Sequence, residues 1–215
     1  MKNNKNELSI RKEIIHTALE LERKKINQGK AGNISVRWNQ GLLITPSGIA
    51  YHKLKPQDIV YVDKNKKYHG KKKPSIETPF HFDILKNKKE IDVVIHTHSP
   101  YGAGLSILGK PIPCFHYMIA LFGGDSIPCA KFALPGSQEL SDNAVKALKK
   151  HKACLLANHG VIVTGSNLEE ALLLTEELEV LCQQITIAKI NGIPKLVGNK
   201  DMKKIIESVK TYGKQ

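Results

Sequence analysis

The sequence contains no apolar run approaching the roughly 20 residues that a membrane-spanning helix needs. Its polar, lysine-bearing N-terminus is followed by no apolar signal core, so a cytoplasmic chain without membrane segments is expected. It also lacks any Cys-x-x-Cys pair. Cys114, Cys129, Cys154 and Cys182 are scattered among apolar or helical residues, which favours core thiols over disulfides or a cysteine-rich metal site. No Pro/Gly/Ser-rich linker divides the 215 residues and no internal repeat recurs. One domain over 1–215 is expected, long enough to bury a large core. Aromatic residues are scarce at 6%, and the lysine-rich stretch from Lys64 to Lys73 has little of the aromatic interleaving used to stack bases. The net charge of +13 therefore reads as a solvated, lysine-biased surface, able to help draw in a small anionic substrate, rather than a nucleic-acid footprint.

What the sequence does have is the run Val93-Val94-Ile95-His96-Thr97-His98, with Asn158-His159-Gly160 far downstream. A strand turns successive side chains to opposite faces, so His96 and His98 share a side while Thr97 takes the other. A third imidazole from another element would complete three neutral nitrogen ligands, the number that a catalytic zinc uses while keeping one position open. An alternating strand can also carry two histidines for solubility or for core hydrogen bonds. The context favours ligands, because the pair closes an apolar run and opens into the small-residue turn Ser99-Pro100-Tyr101-Gly102-Ala103-Gly104.

The remaining pattern alternates helices and short strands. Residues 8–28 carry apolar positions at helical spacing and end at Gln28-Gly29. Short β-rich pieces follow at 33–37, 42–45 and 59–63, and Thr78-Pro79 opens a helix running to about Asn87. Leu140 to Lys150 and Leu168 to about Ile190 read as helices. Residues 153–157 and 161–164 form a hairpin-like unit around His159, and a last short helix begins near Asp201.

Three further clusters carry chemistry. Gly32-Asn33-Ile34-Ser35, Thr45-Pro46-Ser47-Gly48 and Ser75 suit a phosphate cradle of backbone and side-chain donors, although Thr-Pro-Ser-Gly is also a turn signature. Glu77 lies at a loop-to-helix junction. There it is either a favourable helix N-terminal charge or a general acid/base beside a metal. His81, four residues on, shares its helix face and reads as a structural partner rather than a ligand. Tyr117, within His116-Tyr117-Met118-Ile119-Ala120, is by pattern a core tyrosine with its hydroxyl satisfied.

Taken in order over nearly the whole chain, these blocks resemble the class II aldolase/adducin family and are most similar to its aldolase branch. The matching stretches also include Leu43-Ile44-Thr45-Pro46-Ser47-Gly48-Ile49 and Gly123-Gly124-Asp125-Ser126-Ile127-Pro128-Cys129-Ala130. The resemblance implies a three-layer α/β domain, its largely antiparallel central sheet covered by helices, assembled as a homotetramer with active sites between subunits. It implies that His96, His98 and His159 hold zinc and that Glu77 is the acid/base. It places Gly32, Asn33, Ser47, Gly48 and Ser75 around a substrate phosphate, and Tyr117 in the neighbouring subunit's site. The implied reaction is metal-dependent cleavage of a ketose 1-phosphate, such as L-fuculose 1-phosphate, into dihydroxyacetone phosphate and a short aldehyde. No Schiff-base lysine is required. A sugar-phosphate 4-epimerase, a methylthioribulose-1-phosphate dehydratase and a non-catalytic adducin-like module share the fold. Retention of the histidines and Glu77 disfavours the last. One departure stands out: Ile76 occupies the position of a second serine in the aldolase pattern.

Overall fold

The computed structural model describes residues 6–209. Its first helix, α1 (Glu7–Arg23), is capped by the side chain of Asn6, which accepts from the Ser9 N–H at 2.8 Å. It ends short of the expected stop at Gln28-Gly29. Lys25 adopts a left-handed φ of 59°, and the N–H groups of Ile26 and Asn27 both return to the Leu21 carbonyl. This local closure outweighs the helical pattern that continues beyond it. It turns Asn27 into the interior, where it is buried.

Eight strands make one sheet: β1 (Asn33–Trp38), β2 (Gly41–Ile44), β3 (Val60–Val62), β4 (Tyr68–His69), β5 (Val93–Thr97), β6 (Cys129–Ala130), β7 (Ala153–Leu156) and β8 (Gly160–Gly165). Their spatial order is β4-β3-β2-β1-β5-β8-β7-β6. Every pairing is antiparallel except that of β6 with β7. The remaining helices are α2 (Thr78–Asn87), α3 (Pro100–Ser106), α4 (Gln138–Leu148), α5 (Leu168–Asn191) and α6 (Asn199–Val209).

Strand alternation assigns the two covering layers. Val94 of β5 and Ile162 of β8 pack with Phe80 and Ile84 of α2 and with Leu140 and Ala144 of α4. Val93 and Ile95 face the other way, onto Ile14, Ala18 and Leu21 of α1. Val161 and Val163 of β8 take that same side and meet Leu178 and Leu181 of α5. Each buried Val, Leu, Ile or Phe among them contributes about 1.5–3 kcal/mol of burial energy. The expected α/β fold with a largely antiparallel, helix-covered sheet is the one observed.

Helix α3 corrects the reading of Ser99 to Gly104 as a turn. Pro100 sits in its first turn, and the N–H groups of Tyr101 and Gly102 donate to the two carboxylate oxygens of Glu179 on α5, at 2.8 and 2.9 Å. This distant cap stabilises a glycine-containing helix that local spacing does not announce. The four cysteines are free, three of them buried. The lysine-rich 64–73 segment is exposed around the two-residue β4. Among the described residues no helix is long and apolar enough to cross a membrane.

Candidate metal centre and active site

The site forms where β5 ends beside the β7–β8 turn. His96 pairs across the sheet with Asn33 of β1 and Ile162 of β8, and its buried ring points to the α2 side, edge-on to Phe80. His98, the first residue after β5, returns to that side, and its Nε2 lies 2.9 Å from that of His96. His159 is carried by the β7–β8 turn, in which Asn158 has a left-handed φ of 55°. The main chain of that turn is tied to α3 by the Asn158 N–H, which donates to the Ser106 carbonyl at 3.2 Å. The ligand atoms of the three histidines all lie within 4.8 Å of one another, so the group could hold a metal ion.

The donor set can be tested for fit. The Nδ1–H of His96 donates to the Val161 carbonyl at 2.9 Å. That fixes the tautomer and leaves a bare Nε2 facing the cluster. Burial pushes His96 down to about 4 and also lowers His98. Both rings are therefore neutral at neutral pH, the state that binds metal. Yet the bare Nε2 of His96 stands 3.3 Å from Glu77 Oε2, and Glu77 Oε1 stands 3.2 Å from Nε2 of His159. Acceptors facing one another in a buried pocket need a cation or a proton between them; burial disfavours a proton on His96, and the imidazoles and Asn33 disfavour one on Glu77. A divalent metal fits. Gly160 makes room for this arrangement: a Cβ there would overlap the Thr97 carbonyl oxygen and lie 3.0 Å from Cδ2 of His98 and 3.3 Å from Cε1 of His96.

Glu77 is buried and forms the N-cap position of α2, but its side chain makes no capping bond. It turns instead to the imidazoles. Burial raises its pKa, but His96, His159 and Asn33 more than offset this and hold the carboxyl well below the usual carboxylate range. The Nδ2–H of Asn33 donates to Glu77 Oε2 at 2.8 Å. His81 does not meet Glu77 along the helix. Its Nε2–H donates to Asn33 Oδ1, and its Nδ1 accepts from the Ser35 hydroxyl at 2.7 Å.

The residues expected around a phosphate lie in adjoining segments. The Ser47 N–H donates to the Lys73 carbonyl at 3.1 Å and the Ser75 N–H to the Thr45 carbonyl at 3.2 Å, so the Thr45–Gly48 and Lys73–Glu77 segments run side by side. Ser47 and Gly48 are exposed. Ser75 is buried, and its Oγ accepts from the Glu77 N–H at 3.2 Å. Ile76 points outward, 65% exposed. The Asn33 side chain gives one Nδ2–H to Glu77 and its Oδ1 accepts from His81. Gly32 has a φ of 74°, and a Cβ there would collide with Asn27 and with the His96 carbonyl. Packing against Asn27 and the His96 main chain thus requires a glycine here.

Tyr117 is not a core residue. It opens the 3-10 turn Tyr117–Phe122, whose Ile119, Ala120 and Phe122 are buried while Tyr117 itself is 55% exposed. Among the described residues its only ring contact is with His116. Sequence reasoning gives no role to Asn27, whose Oδ1 accepts from the His98 N–H at 3.2 Å, and misses the part played by Ser35. The alternation of Asn33 and Ser35 along β1 was the available signal for the latter.

The family model described as class II aldolase and adducin N-terminal domain matches residues 12–186. The chain is 44% identical over 209 residues to a protein of Haemophilus influenzae named L-fuculose phosphate aldolase, covering 97% of each. It is 42% identical over 206 residues to a Rhodospirillum rubrum protein named 5-methylthioribulose-1-phosphate/5-deoxyribulose-1-phosphate aldolase, covering 96% of this chain and 93% of that one. A solved structure titled L-fuculose 1-phosphate aldolase superposes with a TM-score of 0.91 at 35% identity, covering 94% of this chain and 96% of that one.

Proposed function

The chain belongs to the class II aldolase and adducin family, and from that premise we propose that it is a metal-dependent aldolase. It cleaves a ketose 1-phosphate reversibly into dihydroxyacetone phosphate and a short aldehyde. The observation that carries this reading is the meeting of three histidine donors with the buried carboxylate of Glu77.

His96, His98 and His159 would hold the metal. Zinc suits three neutral imidazoles with a position left open for substrate. When bound, the ion supplies Lewis-acid stabilisation of the negative charge that develops on the substrate's carbonyl and neighbouring hydroxyl oxygens. The chain's own groups do the rest. In cleavage, the proton leaves the hydroxyl that becomes the aldehyde oxygen, the carbon–carbon bond breaks, and its electron pair stays with the three-carbon phosphate half. Glu77 delivers the proton to that carbon, and removes it in the synthetic direction. At neutral pH the group is present as the carboxylate, the form that accepts the proton in the synthetic direction.

Ser47, Gly48 and Ser75 hold the phosphate. In support, the Ser75 hydroxyl hydrogen has no acceptor among the described residues, and a Cβ on Gly48 would meet nothing within 4 Å. Gly32 and Asn33 form the adjoining wall, and with Ile76 in the serine position backbone donors carry more of the phosphate. Tyr117 serves the hydroxyl proton in a neighbouring subunit of a homotetramer. Its exposure in the isolated chain, with Phe132 at 55% and Leu134 at 70%, supports that assignment. The four free thiols suit a reducing cytoplasm.

The relatives' names define the substrate panel: L-fuculose 1-phosphate, and 5-deoxyribulose 1-phosphate as the second reading. Release of dihydroxyacetone phosphate should appear with metal, vanish on chelation and return on reloading. A metal-loaded sample that cleaves no ketose 1-phosphate would overturn the proposal.

A further inference from the structure

We propose that His81 is a positioning residue for Glu77, acting through Asn33 at the end of a one-directional hydrogen-bond chain that begins at Ser35. The inference rests on the reading of Glu77 as the proton carrier and adds a residue that touches neither substrate nor metal.

The direction of each link follows from the chemistry of its partner. The NH2 of Asn33 donates to Glu77 Oε2 at 2.8 Å, which turns its Oδ1 toward His81. An amide oxygen only accepts, so the proton of the His81 ring sits on Nε2. The neutral ring then has a bare Nδ1, and the Ser35 hydroxyl 2.7 Å away donates to it. Burial favours the neutral ring, pushing its pKa down to about 3. Ser35 and His81 are fully buried, Asn33 and Glu77 nearly so, and no water is needed to complete any link.

The chain selects one of two amide orientations. A rotated Asn33 would present Oδ1 to the carboxylate and its NH2 to His81. His81 opposes that rotation while its proton is on Nε2 and needs an acceptor, and Ser35, placed to donate to the bare Nδ1, is compatible with that tautomer. The ring is clamped against rotation by stacking on Phe80, with centroids 4.7 Å apart and planes 23° from parallel. Asn33 in turn lies on β1 directly opposite His96. The device thus aligns the carboxylate with the same strand ladder that aligns a metal donor.

The test uses the full-length, metal-loaded protein. Solvent proton exchange into dihydroxyacetone phosphate reads the Glu77 step alone. His81→Phe keeps a ring but gives Asn33 no donor, so exchange and kcat should fall roughly 10–100-fold, the scale of a small misplacement at a reacting centre. KM and metal content should stay at parental values, and His81→Gln, which keeps an N–H near the Nε2 position, should recover most of the loss. A purely structural His81 predicts instead that both variants lose thermal stability and metal together, or that exchange is unchanged; either result overturns the proposal. Ring 15N shifts of the parent protein give an arm that needs no variant, and an Nδ1–H tautomer at His81 would also overturn it. Exchange unaffected by Glu77→Gln would remove the reading of Glu77 itself. Exchange lost in Glu77→Gln but parental in His81→Phe would remove this inference alone.

Discussion

Gly160→Ala offers a sharp test of how the metal donors are packed. The added methyl would overlap the Thr97 carbonyl oxygen and press on His98 at 3.0 Å and His96 at 3.3 Å. None of these can retreat easily. Thr97 is held in the β5–β8 ladder, the His96 ring is tied to Val161, and the His98 N–H is tied to Asn27. Overpacking of this kind costs about 1–3 kcal/mol, which for a chain of this size lowers Tm by roughly 2–12 °C. Because the methyl points at two ring donors, metal affinity should fall along with stability. Gly29→Ala provides the control: φ there is +64° and a Cβ would meet nothing within 4 Å, so only backbone strain of about 1–2 kcal/mol is added. Thermal melts with and without chelator, together with metal analysis after dialysis, separate the effects. Parental metal retention by Gly160→Ala would refute the argument that this glycine clears space for the donors.

Glu77→Gln should lower turnover by roughly 10²–10⁴ with the fold intact, as read by steady-state kinetics and circular dichroism; a turnover near parental would assign the proton to another group. The chelated protein should lose stability as pH falls from 6.5 towards 4. Buried His96 and His81 have folded pKa values of about 4 and about 3 against the ordinary 6.5. The unfolded chain therefore takes up protons first, and their contribution, complete above 6.5, drains away as acid is added. Urea midpoints that stay flat over that window would contradict the burial argument. His98→Ala should lose metal and activity, and Tyr117→Phe should be strongly impaired. Coexpressed as mixed tetramers, they should recover activity that neither has alone. Verified mixed tetramers with no gain would place Tyr117 outside a shared site.

The histidine pair was legible because its logic is short-range: period-2 alternation in a fully buried strand carries His96 and His98 to one side. The turn around His159 was legible for the same reason, as two apolar runs flanking Asn-His-Gly. What escaped depended on partners distant in sequence. The end of α1 is set by a left-handed Lys25 that brings Asn27 beneath His98, and α3 exists with a cap from Glu179 on α5. His81 was placed on the Glu77 face by its i,i+4 spacing. Glu77 is not yet helical, however, with φ −90° and ψ 7°, and the two side chains communicate only through Asn33 from another strand. Asn33 itself was read as a phosphate contact because a glycine-flanked amide suits one. The spacing along β1 does not announce that the register sets it opposite His96, nor that its amide also bonds Glu77 and His81.

The anchors at the histidine cluster are all protein groups: the Val161 carbonyl for the His96 ring, Asn27 for the main chain at His98, and Ser106 for the turn that carries His159. None of them depends on the ion. A cell starved of metal would on this basis retain a standing pool of folded, idle protein, and restoring the supply would restart catalysis without new synthesis.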